Sequence, residues 1–155
     1  MEKSLRLQNA DLLTEYNLIE SDLQRPKVKE ADFRGKEANI AHRALPQQVA
    51  KLYTLTLEAN VDSKGVKRYP VGSVPILDPE TGETIVDSLG RRSFSTSMAY
   101  GPTIGKTIML AYLPHEKAVK GNRFEIEYFG ERYPVAVAGV GYEPLYDPES
   151  LKPRS

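Results

Sequence analysis

The spacing of apolar residues changes at Val49, where a period of two begins. Tyr53, Leu55 and Leu57 alternate with threonines, which predicts a β-strand with these three residues on one face. A second alternating pattern lies on both sides of Gly130-Glu131 and predicts a β-hairpin that turns at these two residues. The hairpin residues predicted to face a core are Phe124, Ile126, Tyr128, Tyr133, Val135 and Val137.

Short apolar runs between turn residues fill the rest of this part of the chain. Residues 108–113 form an apolar run that a proline closes, which predicts a buried strand. Residues 62–65 and 78–82 have the composition of turns, and residues 69–77 between them predict a strand broken by prolines. Several short strands between turns favour an antiparallel barrel or sandwich over a βαβ fold. We therefore expect a mainly β protein in which residues 49–140 form a small antiparallel β-barrel.

The first part of the chain has a mixed pattern. Residues 32–45 are the best helix candidate, with Gly35 near the start and Pro46 as the stop. Apolar residues in 1–30 follow neither the helical nor the strand period, so no single local element can bury them, and we expect them to pack on a partner. They are Leu5, Leu7, Leu12, Leu13, Leu18, Ile19 and Leu23.

Charge and composition narrow the classes of function. The chain has 155 residues, with 21 Lys and Arg against 21 Asp and Glu, so its formal net charge is zero. This balance gives no sign of a nucleic acid or an anionic membrane as partner. The sequence has no Cys, which excludes disulfides, thiolate zinc sites and cysteine nucleophiles. No apolar run approaches the roughly 18 residues of a membrane span, and we expect a cytoplasmic protein.

One segment matches the end of the phosphate-loop pattern G-x-x-x-x-G-K-[ST]. Gly105-Lys106-Thr107 is present, but Tyr100 stands where the first glycine is required. Pro102 removes a backbone donor, and a strand rather than a helix is predicted after the motif. We therefore expect no nucleotide binding.

The other candidate groups have simple structural explanations. His42 and His115 have no second His at ligand spacing, so we predict no metal site. Arg91-Arg92 and Lys67-Arg68 could together hold a carboxylate, since Arg offers bidentate donors; two separate solvated loops are the favoured alternative.

A series of short motifs lies along the chain. It begins with residues 32–38, Asp-Phe-Arg-Gly-Lys-Glu-Ala. The later motif residues are Thr96, Ser97, Pro102, Gly105, Lys106, Tyr112-Leu113-Pro114, Arg132-Tyr133-Pro134 and Leu145-Tyr146-Asp147-Pro148. The order and spacing of these motifs are similar to those of the C-terminal domain of the glycine cleavage T-protein (aminomethyltransferase) family. Within that family the chain looks most like the branch of flavin-linked dimethylglycine and sarcosine dehydrogenases.

The resemblance implies a fold, a cofactor and three binding residues. Residues 1–46, including the helix at 32–45, would end a folate-binding transferase domain. Residues 47–148 would form the family's β-barrel, and residues 149–155 a tail. The implied cofactor is tetrahydrofolate, which the chain would share with an upstream polypeptide. The implied cofactor-binding residues are Arg6, Lys106 and Tyr146.

The resemblance also implies that the chain does not act alone. The family's proton-handling aspartate and its pterin-binding glutamate lie upstream of the matched residues, so no catalytic residue is predicted here. We expect a C-terminal segment or subunit of a tetrahydrofolate-dependent aminomethyl or methyl transferase that closes one side of the folate cleft. Its partner would be an N-terminal transferase polypeptide or a second copy, with a flavin oxidoreductase subunit as a further candidate.

The alternative is a non-catalytic β-barrel docking module of a multisubunit amine oxidoreductase. Gln8 favours this alternative, because relatives commonly carry a ring near this position on which a cofactor could stack.

Overall fold

The computed structural model describes residues 1–117, 119–149 and 151–152, and it is mainly β. Six strands form one antiparallel sheet in the order β2-β5-β6-β1-β4-β3, and the sheet curls into a half-barrel. This confirms the predicted fold class. Of the predicted tail, residues 150 and 153–155 lie outside the described residues. The elements are α1 (Lys36–Ala44), β1 (Ala50–Leu57), β2 (Ile76–Leu77), β3 (Ser95–Gly101), β4 (Lys106–Pro114), β5 (Arg123–Tyr128) and β6 (Glu131–Val140).

The β5–β6 hairpin follows the predicted alternation. Ile126 pairs with Tyr133, and five of the six residues predicted to face the core are buried, while Tyr128 is partly buried against it. The turn lies one residue earlier than predicted, at Phe129-Gly130, where φ is +53° and +74°. A two-residue turn with both φ positive matches the right-handed twist of the flanking strands, and this preference sets the register.

The central strand β1 is buried on both faces. Tyr53 and Leu55 lie in the main core of the half-barrel. The opposite face is also covered, because N-terminal residues lie over it: the Oγ of Ser4 is 3.4 Å from the Oγ1 of Thr54, which is fully buried. Leu52 belongs to a second cluster with Tyr16. The N-terminal segment therefore forms a second layer on the sheet.

Arg91, in the loop before β3, connects this loop to the N-terminal layer through an ion pair. Its guanidinium donates to Glu20 at 2.7 Å and to Asp87 at 2.7 Å. It also lies 4.3 Å from the ring centre of Tyr16, which stacks on Tyr112 with 3.6 Å between ring centres. Burial raises the pKa of Tyr16 to about 12, so the stacked phenol stays neutral. The guanidinium of Arg91 thus contacts two carboxylates and a stacked pair of tyrosine rings, and these contacts connect the N-terminal layer to the sheet and its loop.

Helix α1 lies inside the predicted range of residues 32–45 but begins later. Gly35 is its N-cap with φ +84°, a left-handed conformation that glycine adopts without strain and that ends the preceding loop. None of the nine residues of α1 is buried. In the described part of the chain, no helix is long and apolar enough to span a membrane.

The seven apolar residues of the N-terminal segment are incompletely buried, as the irregular pattern predicted. Leu5, Leu7, Leu18 and Leu23 are exposed, and the other three are half-buried.

Replacing Arg91 tests how much its ion pairs between the two layers contribute to the stability of the fold. The side chains of Glu20 and Asp87 are only 4% and 3% exposed. We expect Arg91→Met to lower the free energy of unfolding by about 3–5 kcal/mol, because two buried carboxylates lose their counter-charge. The control Arg92→Met, at the exposed neighbouring position, should change it by less than about 0.5 kcal/mol. Urea unfolding measures both, and equal effects would contradict this role of Arg91.

Candidate functional site

The β3–β4 hairpin carries the Gly105-Lys106-Thr107 motif. Lys106 begins β4, so a strand follows the motif, as predicted. The backbone N–H groups of Thr103 and Ile104 donate to the carboxylate of Glu2 at 2.7 and 3.1 Å. These hydrogen bonds help to hold the pKa of Glu2 below its usual value, although burial opposes the shift. The donors that a phosphate would need already bind a carboxylate of the same chain.

Lys106 lines an open cleft of about 550 Å³. Its ammonium donates to both carboxylate oxygens of Glu58 at 2.9 and 3.0 Å. The hydrogen bond from Lys106 holds the pKa of Glu58 below its usual value, and a bond from Thr56 adds to the effect. The side chains of Lys106 and Glu58 are 46% and 36% exposed, so this is a surface ion pair. Asn60, Lys67, Tyr69 and Tyr100 also line the cleft.

Tyr146 lines a second cleft, of about 750 Å³. The ammonium of Lys152 lies 4.9 Å from the centre of the Tyr146 ring, and the proximity of Tyr146 raises the pKa of Lys152. The backbone N–H groups of Leu145 and Tyr146 donate to the carbonyl of Glu2 at 2.9 and 3.1 Å. The closing segment of the chain is therefore held against its first residues.

Tyr100 lies between these two clefts and lines both of them. Its side chain is 62% exposed, which presents an aromatic surface to either cleft. Lys106 and Tyr146 therefore occupy neighbouring clefts. Arg6 lines neither cleft.

Arg6 is instead enclosed beside the end of β6. Its three guanidinium nitrogens are buried and have no hydrogen-bond partner among the described residues. The guanidinium carbon lies 5.3 Å from the centre of the Tyr142 ring. Burial lowers the pKa of Arg6, although Asp22 and Asp11 favour its charged form. Both acids accept hydrogen bonds elsewhere, Asp22 from the Tyr142 backbone at 2.7 Å and Asp11 from the Leu7 backbone at 2.8 Å.

The other sequence candidates are engaged within the fold. Arg68 pairs with Asp62 at 2.6 Å, and Arg91 pairs with Glu20 and Asp87. These arginines therefore already have internal carboxylate partners, in place of the joint basic patch considered from the sequence. Within the residues that the structure describes, no three metal-ligating side chains form a group.

The cleft residues that the sequence does not signal include Glu2, Tyr100 and Lys152. In the sequence Tyr100 stands out only as the residue that breaks the phosphate-loop pattern. Its outward position follows from the register of the hairpin, in which it pairs with Thr107. Glu2 contacts a turn 101 residues away in the chain, and no local pattern signals such a contact.

The half-barrel and its clefts define a small antiparallel β-barrel domain with an N-terminal layer. The family model described as "Glycine cleavage T-protein C-terminal barrel domain" matches residues 70–147. The chain belongs to this family, which confirms the resemblance in the motifs. The match lies within predicted domain 47–148, whose boundaries remain predictions.

Longer relatives match almost the whole chain. It is 28% identical over 159 aligned residues to the mitochondrial dimethylglycine dehydrogenases of Rattus norvegicus and Homo sapiens. The alignments cover 99% of this chain and 16% of each relative, so the chain spans about a sixth of their length. The crystal structure of the glycine cleavage system aminomethyltransferase T from Bartonella henselae shares its fold, with a TM-score of 0.68 and 20% identity. That match covers 91% of this chain and 36% of the other.

Nucleotide binding offers one test of the hairpin. We expect no saturable binding of ATP or GTP by calorimetry, because Glu2 occupies the backbone donors of the turn. Lys106→Ala should leave this result unchanged. Saturable ATP binding that disappears in this variant would contradict the geometry.

The Lys106–Glu58 pair offers another test. Removing the ammonium in Lys106→Met should raise the pKa of Glu58 toward its ordinary value, since the hydrogen bond from Lys106 is the main cause of the lowering. An NMR titration of the Glu58 carboxyl measures the shift. Lys64→Met, at an exposed turn, is the control and should leave this pKa unchanged. An unchanged pKa in both variants would show that the pair does not form in solution.

Proposed function

We propose that this chain is the C-terminal segment of a tetrahydrofolate-dependent aminomethyl or methyl transferase, where it closes one side of the folate cleft. The observation that carries the proposal is the pair of clefts that share Tyr100, each of which contains lysine. Family membership supports the class of enzyme.

The lining of these clefts fits the tail of a folate. The tail of a folate is an aromatic ring joined by an amide bond to a glutamyl group that carries the carboxylates, and lysines beside exposed tyrosines suit both parts. Lys152 makes no ion pair with the other described residues and has the Tyr146 ring beside it. Lys106 already forms an ion pair with Glu58. Exposed ion pairs contribute only about 0–1 kcal/mol to stability, so a carboxylate of the cofactor can replace Glu58. In this proposal Lys106, Lys152 and Tyr146 bind and orient the cofactor.

Arg6 is the third proposed binding residue. A guanidinium with three buried, unpartnered nitrogens is costly, and an anion or a set of carbonyl oxygens would satisfy it. The Tyr142 side chain, which covers Arg6, is 46% exposed. We propose that Tyr142 moves when the cofactor or the rest of the transferase binds, and that Arg6 then gains its acceptor.

The proposal assigns no catalytic residue to this chain. Tetrahydrofolate supplies the ring nitrogen that accepts the one-carbon group. Residues 1–46 would end the folate-binding domain, 47–148 would form the barrel, and 149–155 a tail. The groups that move protons would belong to an N-terminal transferase polypeptide, since the chain spans 16% of the dehydrogenase relatives. Holding the cofactor in the reactive geometry would be the contribution of the barrel.

A docking module of a multisubunit amine oxidoreductase is the second candidate. Exposed leucines of the N-terminal segment favour it, because such side chains commonly mark an interface. The two candidates differ in their affinity for tetrahydrofolate, which only the first requires.

Folate affinity in a hybrid protein tests the proposal. This chain replaces the segment of rat dimethylglycine dehydrogenase that it matches, and calorimetry measures tetrahydrofolate binding. We expect binding by the hybrid, little binding and no aminomethyltransferase activity by the isolated chain, and about tenfold weaker binding for hybrids with Lys106→Met or Tyr146→Ala. A hybrid with Lys64→Met is the control.

Arg6→Met distinguishes a role of Arg6 in binding the cofactor from a role in stabilising the fold. It should weaken folate binding by the hybrid, yet leave the isolated chain as stable or more stable, because the buried charge is removed. A folded hybrid without folate affinity, or tight binding by the isolated chain, would contradict the proposal.

A further inference from the structure

Helix α1 presents its apolar side to solvent. Ile40 is 49% exposed, and Ala38, Ala41 and Ala44 are also exposed. Leu45, which caps the helix, is 47% exposed. An amphipathic helix in a globular protein normally turns this side to the core. The helix therefore has an apolar face that the described residues leave uncovered.

The polar side of α1 holds the helix to the rest of the chain. Arg43 donates to Asn39 at 2.9 Å and to the backbone carbonyl of Arg25 at 2.6 Å. Lys36 donates to the carbonyl of Glu30 at 2.6 Å, and the side chain of Gln48 donates to the carbonyl of His42 at 2.8 Å. Polar contacts thus fix the orientation that exposes the apolar face.

A groove of about 350 Å³ lies between residues 18–33 and the polar side of α1, which contributes Asn39 and Arg43 to its lining. Its apolar lining includes Leu18, Leu23, Val28 and Phe33; Val28 is half-buried and the other three are exposed. We call this surface the α1 groove.

The rim of the α1 groove is positively charged. Arg25, Lys27, Lys29 and Arg43 line it, and no Asp or Glu is among its lining residues. None of these four cations forms an ion pair among the described residues. The exposed acids Glu30 and Asp32 lie in the same segment but do not line the groove, so the lining itself carries four cations without an ion pair around its apolar side chains.

We propose that the α1 groove binds an acidic polypeptide segment with apolar anchor residues, carried by the rest of the transferase. The apolar anchors would fill the groove, and acidic side chains would pair with the rim. This inference rests on the proposed function for the identity of the partner. Most of the length of the dehydrogenase relatives lies outside this chain, so such a partner is available in the family.

The shape and charge of the groove argue against other occupants. A symmetric dimer through this surface would place the rim of one copy against the same rim of the other, and like charges would repel. A bilayer surface is broad and flat, whereas a concave groove requires side chains that enter it. A segment of another polypeptide can carry negative charge that pairs with the rim and side chains that enter the groove.

Binding of a model peptide tests the proposal with the full chain. The probe is a fluorescein-labelled helical peptide of Leu and Glu, with leucines at i, i+3 and i+4 spacing, and the comparison peptide has Lys in place of Glu. We expect the Leu/Glu peptide to bind, as measured by fluorescence anisotropy, and the Leu/Lys peptide to bind at least about tenfold more weakly.

Matched variants locate the binding site. Lys27→Glu with Lys29→Glu should weaken binding about tenfold, whereas the control Lys64→Glu with Arg92→Glu makes the same charge change elsewhere and should leave it unchanged. Leu23→Gln, in the apolar lining of the groove, should weaken binding about fivefold, whereas Phe129→Asn, at a residue that is 78% exposed in the β5–β6 turn, should have no effect. Circular dichroism checks that each variant is folded, and amide NMR shifts in residues 18–45 report the contact directly.

Three results would overturn the proposal. They are equal binding of the two peptides, binding of phosphatidylserine vesicles in preference to the Leu/Glu peptide, and a dimer in sedimentation that Leu23→Gln dissociates. No folate is present in this test. If the peptide binds at the α1 groove while the hybrid fails to bind tetrahydrofolate, the docking surface stands and the proposed cofactor role fails.

Discussion

The ionic contact of Arg91 with Glu20 and Asp87 joins the two layers of this fold. Removing carboxylates from water is costly, and the cost is offset only where a cation and hydrogen bonds replace the solvent. Arg91 supplies these contacts and also lies against the ring of Tyr16, which stacks on Tyr112 of the sheet. The N-terminal segment is therefore a part of the core and not an appended arm. This is why the threonine face of β1 is buried.

The two clefts depend on that layer. The carboxylate of Glu2 accepts hydrogen bonds from the turn between β3 and β4, and its backbone carbonyl accepts from the N–H groups of Leu145 and Tyr146. One residue thereby sets the distance between the hairpin and the closing segment, with Tyr100 between them. A change that loosens residues 1–6 would alter both clefts, even though neither Lys106 nor Tyr146 would be touched.

Two features of the N-terminal part have requirements that the described residues do not meet. Arg6 has buried nitrogens without acceptors, and α1 has an apolar face without cover. Both features are unfavourable in an isolated domain, the first because of desolvation and the second because of exposed apolar surface. The rest of the proposed transferase would explain both, because it would bring acceptors to Arg6 and cover the apolar face of α1. In the barrel half, by contrast, the apolar side chains from Tyr53 to Val137 form one continuous buried core.

The sequence by itself determined the strands, because a strand's alternation is a local pattern that burial on one side requires. It predicted the β5–β6 hairpin, the strand at residues 108–113, the helix and the family. It placed the turn one residue late, because a two-residue turn is selected by strand twist and not by glycine position alone.

Only the tertiary structure decided which polar groups meet. Thr103 and Glu2 are 101 residues apart in the chain, and Arg91 and Glu20 are 71 apart, so no local pattern could pair them. The orientation of α1 was also undetermined, since its apolar face alone predicts burial inward and the contacts of Arg43 turn that face outward. Periodicity fixes which side of an element is apolar. Long-range charge and hydrogen-bond contacts fix what that side faces.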